Sequence, residues 1–204
     1  MPLHTTLRAA ARALVGGTRA WRALANTDLH VERLRHTVAE RWDGVIAPAP
    51  RHLEIAITAQ CNLRCMGCRY GRDFMPGHRL TWPVVRDLLD DAKAAGIWDV
   101  RFYGGEPLLH PELPRMVAHA TALGLGTYVT TNGMLLGDRI DALVEAGLRT
   151  INIGYYGTGA AYDAYVQRPD RHARLDAGLA RLRARHGDTV AVRINWLLKR
   201  PSAT

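Results

Sequence analysis

The sequence predicts an α/β fold, a partial (β/α) barrel of five parallel strands preceded by a helical N-terminal extension. The first observation is an alternation of secondary structure. Five short apolar runs typical of β-strands alternate with stretches typical of helices between residues 53 and 198. This alternation is typical of a parallel sheet with right-handed crossovers and helices outside. The second observation is that cysteine, glycine and asparagine recur where these strands end. Ligands bind at that edge of such sheets.

The chain divides near residue 50. The sequence predicts a helical extension and linker over residues 1–50 and the core domain over residues 51–204. The extension has a basic helix over residues 3–24, a second helix ending near Gly44, and a proline-rich linker at 47–50. An arginine-rich, acid-poor start also matches a mitochondrial transit peptide. The alternatives are a helix packed on the barrel and a helix that binds a partner.

Alternation of apolar residues predicts the first strand at 53–58. Later strands are expected at 99–103, 127–131, 150–153 and 190–198. The helices between them carry apolar residues at helical spacing, with candidate N-caps and glycine stops. The predicted caps are Thr81, Asp138 and Asp170, and the predicted stops are Gly96, Gly124, Gly147 and Gly187.

Composition limits the class of protein. At 204 residues and 48% hydrophobic content the chain can bury a sizeable core, and no apolar run approaches the roughly 18 residues of a transmembrane helix. The net charge of +8 favours anionic partners. Basic blocks with interleaved aromatics are missing from the sequence, so nucleic acid is not favoured as a ligand. Clustered cysteines without a disulfide pattern favour the reducing cytoplasm.

All three cysteines stand in one stretch, Cys61, Cys65 and Cys68, at spacing C-x3-C-x2-C. Three thiolates are one short of a closed zinc site or a fully protein-ligated iron–sulfur cluster. A cubane cluster held this way keeps one iron open to another ligand. The alternatives are buried cysteines on one helix face and a zinc site completed by His52 or His78. The odd count does not favour a disulfide framework.

A second motif, Gly104-Gly105-Glu106-Pro107, follows the predicted second strand. Glycines without Cβ atoms let the backbone approach a small ligand closely. Pro107 fixes the turn, and Glu106 offers an acceptor for an ammonium group. We therefore expect a branched side chain at Gly105 to occupy the ligand's place. The alternative is a plain strand-to-helix turn.

Three further residues are expected at the same sheet edge. Asn132 follows the third strand, Gly154 ends the fourth, and Asn195 lies on the fifth.

Together these motifs resemble those of the radical S-adenosylmethionine (SAM) superfamily. The resemblance implies a [4Fe-4S] cluster on the three cysteines, and SAM chelated to its open iron through the amino and carboxylate groups. It places the methionyl amino group at the Gly104–Pro107 loop, and Asn132 and Asn195 along the SAM pocket. Gly67 stands where relatives carry an aromatic residue, so only its backbone would meet the adenine. Gly154 stands where many relatives have Ser-x-Asp-Gly.

The resemblance also implies an activity: reductive cleavage of SAM to a 5′-deoxyadenosyl radical, which takes hydrogen from an anionic, small-molecule or peptide substrate. The reaction would be that of an oxidoreductase or transferase, with flavodoxin or ferredoxin as electron donor. The alternative is a non-catalytic scaffold that keeps the fold.

Family cores usually have six β/α units, and this sequence supplies five strands. We therefore expect the core to be incomplete at its C-terminal end, and the N-terminal helices, a partner chain, a second copy or a lost C-terminal segment to cover the open edge of the barrel.

Overall fold

The structure is a computed structural model. It describes residues 51–70 and 73–197, together with residues 30, 31, 33, 34, 37, 38 and 41. The chain divides into units of residues 1–49 and 50–204. The described residues of the first unit are helical, where the second N-terminal helix was expected. The predicted first helix and the proline-rich linker lie outside the described residues.

The second unit contains one five-stranded sheet in the order β1-β2-β3-β4-β5. Every neighbouring pair is parallel. The strands are β1 (His52–Thr58), β2 (Asp99–Gly104), β3 (Gly126–Thr131), β4 (Thr150–Tyr155) and β5 (Ala191–Trp196). Sequential parallel order with helical crossovers is what a partial β/α barrel requires, so the predicted fold class is confirmed.

The connections between strands are helical. They are α1 (Trp82–Ala94), a 3-10 turn (Pro107–Leu109), α2 (Leu113–Ala122), α3 (Leu136–Glu145), α4 (Gly159–Val166) and α5 (Arg171–His186). Four of these helices were predicted within a few residues, and α4 was missed. No helix in the described ranges is both long enough and apolar enough to cross a membrane.

The core lies between one face of the sheet and the helices. Alternate strand residues such as Ile57, Phe102 and Val129 are fully buried there. Neighbours in register share a face of the sheet, as Ile55 and Phe102 do. Each such side chain contributes about 1.5–3 kcal/mol by leaving water. The opposite face of the sheet carries polar side chains, which leaves it available to ligands.

None of the three predicted capping side chains caps its helix. Thr81 is the N-cap residue of α1, but its side chain makes no capping hydrogen bond. Asp138 lies inside the first turn of α3, because that helix begins two residues earlier at Leu136.

The N-terminus of α5 is capped by a side chain that lies outside this helix. Asp170 occupies the N-cap position but makes no side-chain cap. The Asp163 carboxylate of α4 instead accepts hydrogen bonds from the backbone N–H groups of Asp170, Arg171 and His172, at 2.8, 2.9 and 2.8 Å. The bond from His172, supported by the other two, lowers the pKa of Asp163. A carboxylate at a helix N-terminus also complements the helix dipole.

β5 forms one edge of the described sheet. Its residues are exposed, including Val192 at 38%, Ile194 at 47% and Trp196 at 51%. Unpaired strand edges and exposed apolar side chains invite pairing with another chain segment. The expectation that this edge is covered stays a prediction.

Candidate functional site

The motif residues meet at the carboxyl ends of the strands. The cysteine loop leaves β1, the Gly104–Pro107 loop leaves β2, and Asn132 follows β3. Gly154 lies near the end of β4 and is paired in register with Asn195 of β5. The alternation of strands and helices therefore brings these residues to one edge of the sheet.

The cysteine loop is held by backbone hydrogen bonds to the end of α4. Arg64 N–H donates to the Val166 carbonyl at 3.2 Å, and Met66 N–H donates to the Tyr165 carbonyl at 2.9 Å. These bonds satisfy carbonyls that a helix C-terminus leaves without partners. The loop is thus fixed by a helix that the sequence pattern did not reveal.

A tight turn joins the last two cysteines. Cys68 N–H donates to the Cys65 carbonyl at 3.2 Å. Gly67 is the third residue of this turn and has φ +76°. A type II turn needs a positive φ at that position, which glycine adopts without strain. The positive φ therefore explains why glycine stands at position 67, where members of the family carry an aromatic residue.

None of the three cysteines forms a disulfide, and each is half-buried. Burial raises the pKa of the Cys61 thiol, and the Glu106 carboxylate and Cys68 raise it further. Two donors oppose this effect: Leu63 N–H lies 3.5 Å from Cys61 Sγ, and Asn132 Nδ2 lies 3.8 Å from it. Burial raises the pKa of Tyr156, and the charges of Cys65, Tyr165, Cys68 and Cys61 raise it further.

The structure bears on the alternatives for these cysteines. The described residues around them form no helix, so the shared helix face of buried cysteines is not present. His52 cannot complete a zinc site, because it contacts Tyr128 and Asp99 at the amino end of the sheet. No three His, Cys, Asp or Glu side chains of the described residues converge on a point suited to one metal ion. A cubane binds each thiolate on a separate iron, so it does not require the three thiols to converge on one point.

The Gly104–Pro107 loop pairs with the start of the cysteine loop. Gly105 N–H donates to the Thr58 carbonyl at 2.7 Å, and Glu106 N–H donates to the Gln60 carbonyl at 2.7 Å. A Cβ on Gly104 would clash with the Thr58 carbonyl, and a Cβ on Gly105 with that of Gln60. The expectation that a side chain at Gly105 points at the ligand is therefore wrong. The glycines allow two loops to pack together.

Glu106 is fully buried. Its carboxylate accepts hydrogen bonds from Leu108 N–H at 2.9 Å, Thr131 Oγ1 at 2.7 Å and Asn132 N–H at 2.8 Å. Burial raises the pKa of Glu106, and these three bonds oppose the rise. The following Pro107, also buried, opens the 3-10 turn that Glu106 caps. Contact between Glu106 and a SAM amino group stays a prediction, and the carboxylate has other partners here.

Replacing Glu106 by glutamine should destabilise the fold. The glutamine NH₂ group would face a donor, so one of the three N–H or O–H groups would lose its acceptor. An unsatisfied buried donor costs about 1–3 kcal/mol. Urea unfolding of the purified protein measures this loss. Glu145→Gln, at an exposed position, should change stability by less than about 0.5 kcal/mol. Equal stability of both variants would contradict the role given to Glu106.

The sequence interpretation missed three tyrosines beside the cysteines. Tyr156 follows β4 and folds back so that its hydroxyl covers Gly154, where a Cβ would clash with it. Tyr165 lies 4.6 Å from Tyr156 between ring centroids, and Tyr162 lies 6.1 Å from it. The position of Tyr156 just after a strand end was the available signal.

A parallel β/α sheet that gathers three thiols and a glycine-rich loop at one strand edge defines a partial-barrel protein with a candidate cluster site. The sequence profile of the Radical SAM superfamily matches residues 55–198. The chain belongs to this family, whose members are enzymes that use a [4Fe-4S] cluster and SAM.

Curated relatives share this region. GTP 3′,8-cyclase of Chlorobaculum tepidum is 37% identical over 153 residues, which are 73% of this chain and 45% of the relative. GTP 3′,8-cyclase of Mycolicibacterium smegmatis is 39% identical over 142 residues, 67% of this chain and 39% of the relative. The chain thus spans less than half the length of these proteins.

Solved structures share the fold. Streptococcus suis SuiB bound to S-adenosylmethionine matches with a TM-score of 0.59 at 20% identity, covering 97% of this chain and 45% of that chain. Native anSMEcpe with bound AdoMet and a peptide matches with a TM-score of 0.58 at 16% identity, covering 71% and 42%. At these identities the likeness concerns the fold.

Proposed function

We propose that this protein binds a [4Fe-4S] cluster through Cys61, Cys65 and Cys68 and cleaves SAM reductively to a 5′-deoxyadenosyl radical. The observation that carries the proposal is the joining of the thiol loop to the Gly104–Pro107 loop by backbone hydrogen bonds at the strand edge. When bound, the cluster would supply the electron that breaks the sulfonium bond of SAM. The radical would then take a hydrogen atom from the substrate.

The protein's own residues would position and shield this chemistry. The end of α4 fixes the cysteine loop, and Tyr156 packs against Tyr165 of that helix. We place the methionyl group of SAM along the backbone of Gly104 to Pro107, and its adenine at the Gly67 backbone. Asn195, beside Gly154 in register, would face the adenosyl end. Residues 51–204 form the core domain in this proposal, and residues 1–50 an extension.

The substrate is proposed to be anionic. Arg101 and Arg193 lie on the sheet face opposite the helices, in strands whose alternate residues face the core. Arg101 is tied to Glu54 at 3.0 Å and Thr130 at 2.9 Å, whereas Arg193 is exposed. The curated relatives are named for GTP, an anionic nucleotide, which supports this class over the peptide bound by anSMEcpe. The net charge of +8 agrees.

The reaction class is proposed to be that of an oxidoreductase or transferase. We place the protein in the cytoplasm, where flavodoxin or ferredoxin would supply the electron. A partner chain or second copy would cover β5, the exposed strand at the sheet edge.

The proposal predicts that anaerobically reconstituted protein converts SAM to 5′-deoxyadenosine when dithionite is present. Cleavage of this kind can be detected without the true substrate. Liquid chromatography of the quenched mixture measures the product, and samples lacking dithionite or iron should contain none. A wild-type protein that carries a full cluster and still forms no 5′-deoxyadenosine would remove the basis for the proposed activity.

A further inference from the structure

Asn132 is the residue where the three loops of the site meet. Its backbone N–H donates to Glu106 at 2.8 Å, which ties it to the loop after β2. Its side-chain nitrogen donates to Asn62 Oδ1 at 2.8 Å and lies 3.8 Å from Cys61 Sγ, in the cysteine loop. The residue is 9% exposed, so these contacts are held away from water.

The orientation of the Asn132 amide is fixed by its surroundings. Its Oδ1 accepts a hydrogen bond from Met134 N–H at 3.0 Å, closing an Asx-type turn. A flipped amide would set its NH₂ group against that N–H, donor against donor. The oxygen therefore faces Met134, and the two amide hydrogens serve Asn62 and Cys61.

This arrangement leaves the Asn132 side chain with no spare donor for SAM. The sequence resemblance assigned Asn132 to the SAM pocket, yet both of its N–H groups are directed at the cysteine loop. Cys61 Sγ is also reached by Leu63 N–H at 3.5 Å, a backbone donor that side-chain substitution leaves in place. Asn132 is thus the side-chain component of a two-donor environment around one thiol.

We propose that Asn132 is a positioning residue that donates an N–H···S hydrogen bond to Cys61 and thereby raises the reduction potential of the bound cluster. The proposal rests on the proposed function, in which Cys61 is a cluster ligand. A donor near a ligand sulfur stabilises the extra negative charge that reduction brings, and hydrogen bonds to sulfur set the potentials of such clusters. Through Asn62 the same amide also orders the loop that carries the ligands.

The decisive variant is Asn132→Ser. A serine hydroxyl can still accept from Met134 N–H and keep the turn, but it is too short to reach Cys61. The test is an EPR-monitored potentiometric titration of reconstituted protein without SAM. At a fixed potential the ratio of reduced to oxidised cluster should fall about tenfold, equivalent to about 59 mV for a one-electron couple. Asn132→Ala should shift the potential in the same direction.

Two matched variants distinguish the effect of the N–H···S hydrogen bond from the effect of ordering the cysteine loop. Asn62→Ala removes the other acceptor of the Asn132 amide but leaves the donor to Cys61, so it should lower cluster retention and leave the potential near the wild-type value. Asn152→Ala, the same change on β4, should alter neither. An unchanged potential in Asn132→Ser overturns the inference, as does an equal shift in Asn62→Ala. A wild-type protein that assembles no four-iron cluster overturns the proposed function itself, which iron and sulfide analysis reports separately.

Discussion

Replacing Cys65 by alanine should abolish cluster assembly and all cleavage of SAM. Wild-type protein reconstituted without oxygen should hold about four irons and four sulfides per chain. With Cys65 gone, Cys61 and Cys68 leave half of the cluster's irons without a protein ligand. The loop itself should survive, because the backbone groups of Arg64 and Met66 remain bonded to α4. Iron and acid-labile sulfide analysis, with absorbance spectra, measures the loss.

The matched control for this change is Met66→Ala. Met66 is the next residue of the same loop and is 42% exposed. It should keep the wild-type iron and sulfide content. Thermal unfolding of both variants without metal should agree with that of wild type. A Cys65→Ala protein with undiminished iron and sulfide would defeat the assignment of the ligands, and so would stoichiometric zinc without sulfide in the wild type.

The strands and most helices could be predicted because their signals are local. β1 and α1 carry their own apolar periods, and each predicted strand end fell within a few residues of the observed one. Placement of the motifs at one edge then followed from the rule for parallel sheets. These inferences needed no knowledge of which side chains touch.

The features that were missed depend on contacts between distant segments. α4 (GAAYDAYV) is apolar on most sides, so no contrast between a polar and an apolar face marks it as a helix, and it begins at Gly159, with φ +51°. Its end is stabilised by hydrogen bonds from the cysteine loop. The cap of α5 comes from Asp163, which lies outside that helix. Neither contact can be recognised from the residue pattern of the helix itself.

The site shows the same limit. The sequence indicated that Gly105 and Glu106 matter but not the directions in which they face. Glu106 turns inward because three donors from two loops converge on its carboxylate. Tyr156 folds back so that its hydroxyl lies over Gly154. Such directions follow from packing, so residue type and spacing alone do not give them.

Replacing Gly105 by alanine should destabilise the protein by about 2–4 kcal/mol, since an overpacked methyl and strained hydrogen bonds both contribute. The new Cβ would collide with the carbonyl oxygens of Gln60 and Ala59, which are backbone atoms that cannot swing away. Relief requires the two loops to separate, which weakens the bonds that Gly105 and Glu106 donate. Urea unfolding monitored by circular dichroism measures the change.

Gly137→Ala is the matched control, because a Cβ there meets only the Arg181 side chain, at 3.8 Å. Gly137 lies in α3, where alanine should be neutral or stabilise by up to about 1 kcal/mol. Binding of SAM to the reconstituted variants distinguishes the two interpretations of Gly105. If Gly105→Ala kept wild-type stability but lost SAM binding, its side chain would point at the ligand and the packing assignment would fail. If stability and cluster retention fall together, Gly105 serves the contact between the two loops, and its effect on SAM follows from that.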